Sequence, residues 1–119
     1  MALKGRASLA KVSNIKTIRC DLEKPRGSTL QDSYLDLILA PNLFFQVGDK
    51  KAVILEAKRI LKSQGLLAII DWEENSNIGL KQEYFSKADA KRMCADAGLV
   101  LEKEFRAGSC HYCLIFRKP

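Results

Sequence analysis

Residues 35–73 constrain the fold more tightly than any other part of this chain. Residues 35–40 are apolar except for Asp36, the pattern of a strand covered on both faces. Pro41 breaks that run, and residues 42–47 form a loop or short turn. Asp49 then caps a helix reaching about residue 62, with Val53, Ala57, Ile60 and Leu61 at the i, i+4, i+7 and i+8 positions of one stripe. Gly65 marks a tight turn. Residues 66–70 are an uninterrupted apolar strand, with Asp71 and Trp72 at its carboxyl end. A strand, a helix and a second strand in this order predict a parallel pair joined by a helical crossover.

The flanks extend the alternation. Residues 1–12 have weak helical character, and residues 15–20 predict a short strand closed by Asp21 and Leu22. Pro25 and Gly27 make residues 23–33 a loop. Residues 73–85 are a polar loop, after which Ser86, with Asp89 three positions on, has the pattern of a capping box. Ala90, Met93, Cys94 and Ala97 give the following helix its apolar stripe, and Gly98 supplies a left-handed stop. Residues 99–105 and 110–117 predict two strands joined by a hairpin-length connection. The last strand is apolar in both alternating sets, which makes it an inner strand. The expected architecture is α/β, a partial Rossmann-like sheet of parallel strands with helices and a C-terminal antiparallel strand.

Composition bounds the function classes. The 119 residues, 47% hydrophobic, suit one domain with its own core. No apolar run approaches the roughly 20 residues of a membrane span, and the first residues lack the apolar centre of a signal peptide. A cytoplasmic location is therefore expected. The net charge of +6 is carried by lysines and arginines scattered among acidic residues, with no basic stripe interleaved with aromatics, which argues against a nucleic-acid surface. Cys110 and Cys113 have C-x-x-C spacing, but strand residues three apart point to opposite faces, and Cys20 and Cys94 stand alone. Reduced thiols and no metal site are expected.

In open α/β sheets ligands bind beyond the carboxyl ends of the strands. Three such ends are Asp21-Leu22, Ala40-Pro41-Asn42 and Asp71-Trp72. A carboxylate leaving a strand accepts hydrogen bonds from nucleoside amino or hydroxyl groups, and Phe45 or Trp72 can wall a pocket. The plainer alternatives are that Asp21 caps its own loop and that Trp72 packs at a rim. Phe44 and Phe45 divide between core and pocket on this reading.

The order of these segments resembles the second half of a class I S-adenosylmethionine-dependent methyltransferase domain. Residues 14–22 are similar to the family's third strand and its terminal acidic motif, and residues 36–47 to the fourth strand and the loop behind it. Residues 56–67 resemble its helix, sharp turn and fifth strand. Asp71-Trp72-Glu73 resembles the end of that strand in the small-molecule enzymes of the ubiquinone and menaquinone type (methyltransferase type 11). The resemblance implies S-adenosylmethionine as cofactor, with Asp21 and Leu22 at the adenine, Ala40 and Asn42 near the methionine part, and Phe45 as a wall. Asp71 and Trp72 would face the substrate side. Methyl transfer in the family is mainly positioning of a sulfonium against a nucleophile, so no catalytic dyad is expected.

Two departures matter. The glycine-rich loop after the family's first strand has no counterpart, because Gly5 and Gly27 do not follow an apolar strand in a G-x-G pattern. Ser63-Gln64 also stands where the family usually turns with Pro-Gly. Residues 1–119 are thus expected to be a single truncated methyltransferase-like domain with an incomplete cofactor site. Without two central strands, residues 35–40 would present an apolar edge, so a homo-oligomer or a complementary chain is expected. The alternative is a non-catalytic interaction or scaffold module that uses this edge. The methyl acceptor would be a small molecule.

Overall fold

The computed structural model describes residues 13–73 and 84–119. Among them four strands form one sheet: β1 (Leu35–Pro41), β2 (Leu61–Trp72), β3 (Val100–Arg106) and β4 (His111–Arg117), in the order β1-β2-β4-β3. β1 and β2 are parallel, and β4 runs antiparallel to both β2 and β3. Two α-helices, α1 (Lys50–Ile60) and α2 (Lys87–Asp96), and a 3-10 turn at Phe44–Gln46 complete the described fold. This is the expected α/β sheet with one reversed strand. The expected N-terminal helix at residues 1–12 and most of the loop at residues 73–85 lie outside the described residues.

Local chemistry sets the element boundaries. The Asp49 carboxylate accepts the Ala52 N–H at 3.0 Å and starts α1, and Ser86 Oγ accepts the Asp89 N–H at 3.0 Å and starts α2. α1 ends at Ile60 rather than near residue 62, because Leu61 is fully buried and already pairs with Leu35. The chain then turns inside the span of β2. Gln64 takes the left-handed conformation (φ 72°), while a Cβ on Gly65 would lie 2.9 Å from the Lys62 carbonyl oxygen and 3.2 Å from that of Asp36. Gly65 is thus required by close approach of backbone. The C-terminal segment clamps this turn, with Gln64 N–H donating to the Lys118 carbonyl and Lys118 N–H to that of Gly65.

The core lies on one face of the sheet. Leu67 and Ile69 of β2, Leu114 and Phe116 of β4, Val53, Ile54 and Ala57 of α1, and Ala90 and Cys94 of α2 belong to a single buried cluster. The opposite face carries Leu37, Leu39 and Phe105, which are 52%, 63% and 51% exposed. β1 is therefore not covered on both faces, although its near-continuous apolar run predicts that. It is also an edge strand, with β2 as its sole described neighbour. Residues 15–20 do not form the expected strand, and Ile15 and Ile18 are exposed. Apolar alternation favours a strand, but a strand forms only against a partner ladder, and these residues pair with none in the described sheet.

A buried ion pair holds the loop at residues 23–33 against α1. Glu56, only 4% exposed, accepts Ser28 N–H at 2.9 Å and two Arg59 guanidinium nitrogens at 2.8 and 2.7 Å. Arg59 also reaches Asp32 at 2.6 Å. The guanidinium holds the Glu56 carboxyl well below the usual carboxylate range, at about 2. Among the described residues no helix is long and apolar enough to cross a membrane.

Candidate functional site

The carboxyl ends of β1 and β2 lie side by side because the two strands are parallel and in register through Pro41 and Ile70. β4 is antiparallel to β2, so its first residue, His111, pairs with Trp72 at the same edge. Three separate segments thereby converge. Asn42 leaves β1 in the left-handed conformation (φ 55°), its N–H donating to the Ile70 carbonyl at 2.8 Å. Its side-chain Oδ1 lies 2.9 Å from His111 Nε2. The His111 ring packs on the Trp72 indole at 4.1 Å between centroids, and Phe45 meets the other side of the cluster edge-on to Trp72 at 6.4 Å.

Asp71 and Trp72 have opposite environments. Asp71 is fully buried on the core face, where its carboxylate accepts the N–H groups of Phe45 at 3.3 Å and Trp72 at 2.9 Å. Burial pushes its carboxyl above the usual carboxylate range, against the pull of those backbone bonds. In this structure Asp71 fastens the turn behind β1 to the end of β2. Trp72 is half-buried, and its indole Nε1–H is shielded from solvent with no hydrogen-bond partner among the described residues. A shielded donor of this kind is costly unless an acceptor reaches it.

Asp21 is exposed, and its carboxylate accepts the Glu23 N–H at 3.0 Å, closing a local turn. Gly27 packs so closely on the Asp21 carbonyl that a Cβ would overlap it. Glu23 in turn accepts the Asp49 N–H at 2.6 Å, which sets this turn beside the start of α1. Leu22 lines an apolar cavity of about 110 Å³ with Ala40, Leu43 and Phe44. Phe44 is fully buried and stacks on Phe85 at 5.1 Å, whereas Phe45 is half-buried at the edge. The structure thus groups Asn42, Phe45 and Trp72 in one cluster, Leu22 and Ala40 in an adjacent cavity, and keeps Asp71 beneath.

His111 is the residue that sequence reasoning missed. Its position follows from two expected features taken together: an antiparallel final strand, and parallel strands whose carboxyl ends form the ligand edge. The first residue of such a strand must lie at that edge. Among the described residues no group of three or more metal-ligating side chains is present.

The comparisons agree with the fold. A family profile described as a methyltransferase domain matches residues 1–69, and the chain belongs to that family, the class I methyltransferases. No curated protein matches. Among solved structures, a SAM-dependent methyltransferase from Aquifex aeolicus superposes with a TM-score of 0.84 at 19% identity, covering 98% of this chain and 61% of that one. A protein from Sulfolobus solfataricus assigned to the type 11 methyltransferases is 30% identical, with a TM-score of 0.71 over 99% of this chain and 66% of its own. A chain from the complex between the Haloferax volcanii Trm112 methyltransferase activator and a methyltransferase gives a TM-score of 0.66 at 16% identity, over 83% of this chain and 59% of that one. The present chain thus spans about three-fifths of the Aquifex aeolicus structure's length. By this resemblance the cofactor is S-adenosylmethionine.

Proposed function

We propose that residues 1–119 are one methyltransferase-like domain that forms one side of an S-adenosylmethionine site and works with polypeptide outside these residues to transfer a methyl group to a small molecule. The observation that carries this reading is the convergence of Asn42, Phe45, Trp72 and His111 at the carboxyl edge of a parallel pair. The residues present fit the cofactor on that side. Leu22 offers apolar surface for the adenine and Asp21 an acceptor for its amino group, while Ala40 and Asn42 lie towards the methionine part, with Asn42 as its polar contact. Phe45 walls the cleft, and the Trp72 Nε1–H, without a partner among the described residues, supplies a donor on the acceptor side. Asp71 acts on that side through the backbone it holds.

The bound cofactor supplies an activated methyl on a sulfonium sulfur. The chain's own part is to orient the two reactants and exclude water, which a rigid edge does without an acid–base dyad. No two of the seven glycines stand in a G-x-G pattern, so the glycine-rich side of the site comes from polypeptide outside these residues. The activator complex among the structural neighbours gives a precedent for a methyltransferase that functions with a partner chain.

The test is calorimetric titration of the purified chain with S-adenosylmethionine and S-adenosylhomocysteine, with its mass in solution followed by light scattering. Micromolar binding supports a site already assembled on this chain or its oligomer. A folded chain that binds neither ligand, alone or with a candidate companion, refutes the reading.

A second reading rests on a different observation. Leu37 and Leu39 are more than half exposed on an edge strand, which suits a non-catalytic scaffold that associates through β1. Stable self-association without cofactor affinity would favour it.

A further inference from the structure

The side chain of Asn42 is held at one end only. Its Oδ1 faces His111 Nε2 at 2.9 Å, and no described residue bonds its Nδ2. An amide oxygen only accepts, so this contact requires the imidazole to carry its proton on Nε2. The ring is fixed from its other side by packing on Trp72 at 4.1 Å. The Asn42 backbone is equally constrained, because its N–H is bonded to Ile70 and its φ of 55° is one that few residues adopt. With the backbone pinned and Oδ1 engaged, the amide is left presenting the two N–H donors of Nδ2 at the carboxyl edge.

We infer that His111 is a positioning residue that fixes the Asn42 amide so that Nδ2 donates to the carboxylate of the cofactor's amino-acid part. This rests on the proposed cofactor site and deepens it, because it assigns one ligand group to one donor. A carboxylate accepts a neutral N–H donor as a charge-assisted bond, stronger than a neutral pair. His111 contributes by denying the amide its flipped orientation, in which an oxygen would face the carboxylate. It touches Asn42, not the ligand.

The experiment compares S-adenosylhomocysteine with 5′-methylthioadenosine, which keeps the nucleoside and the sulfur but lacks the amino-acid part. His111→Ala is expected to weaken S-adenosylhomocysteine roughly tenfold and leave 5′-methylthioadenosine unchanged. His111→Gln, whose amide N–H can replace Nε2–H, is expected to restore most of the loss. Asn42→Asp still accepts from His111 but has no donor, so it is expected to weaken S-adenosylhomocysteine at least as much as His111→Ala.

Because the chain has a single histidine, its imidazole nitrogens are also unambiguous in long-range proton–nitrogen NMR spectra. In mildly alkaline buffer the free chain is expected to show the Nε2–H tautomer, and Asn42→Ala to shift that signal. An Nδ1–H tautomer in the wild-type chain overturns the inference without any ligand. Equal losses for both ligands, or none for either, also overturn it while leaving the cofactor reading intact. A folded wild-type chain that binds neither ligand, alone or with a candidate companion, overturns the cofactor reading and this role with it.

Discussion

The carboxylate of Asp71 accepts the backbone N–H of Phe45 at 3.3 Å, fastening the turn that leaves β1 to the end of β2. Its other oxygen takes the N–H of Trp72, so both oxygens are committed to main chain. Asp71→Asn keeps the shape but sets an NH2 group against one of those N–H donors. A loss of about 1–2 kcal/mol is expected, and a larger one for Asp71→Ala, which orphans both donors. Urea denaturation with unchanged m-values checks the size. Equal stability of the asparagine variant would show that the two bonds contribute nothing net.

Glu56 makes stability depend on acid. Its carboxyl is depressed from 4.5 to about 2 in the folded chain, mainly by Arg59. The stabilisation is present above the unfolded value and is lost as pH falls from about 4.5 towards 2. Glu56→Gln is expected to cost on the order of 3 kcal/mol at neutral pH and to flatten that acid limb. Thermal melts across the acid range would expose a wrong assignment as parallel curves for the two proteins.

Gly65→Ala is expected to destabilise by about 1–3 kcal/mol, because two of the three atoms nearest its new Cβ are backbone carbonyl oxygens that cannot rotate away. A melting temperature equal to wild type would mean that the turn relaxes freely.

Leu37→Lys combined with Leu39→Lys changes only exposed side chains of β1 and should alter stability by about 0.5 kcal/mol or less. Any association through this edge is expected to weaken, since lysine on an edge strand opposes pairing. Sedimentation velocity on the two proteins reads this directly, and identical distributions would place association elsewhere.

The part of the fold set by local periodicity was legible. The α1 stripe, the Asp49 and Ser86 caps, the buried run of β2 and the stop at Gly98 (φ 89°) each depend on residues a few positions apart. Residues 15–20 failed for the opposite reason, since a strand is decided by a neighbour that the local pattern does not contain. The direction of Asp71 was hidden as well. Both alternating sets of β2 are apolar, so the pattern does not say which set meets the helices. His111 enters the site through a ladder that joins residues far apart in sequence, Trp72 and His111. Local periodicity does not contain that pairing, which follows only once the strand directions are combined.

The ladder between β2 and β4 sets Asp71 opposite Tyr112 and, one step on, Trp72 opposite His111. The first pair is buried towards the helices, with the Tyr112 hydroxyl donating to the Phe85 carbonyl, and the second lies half-buried at the carboxyl edge of the parallel strands. Neighbouring positions on the same two strands therefore carry separate burdens: a substitution at 71 or 112 disturbs the packing of the sheet on its helices, whereas one at 72 or 111 alters the carboxyl edge and leaves that packing in place.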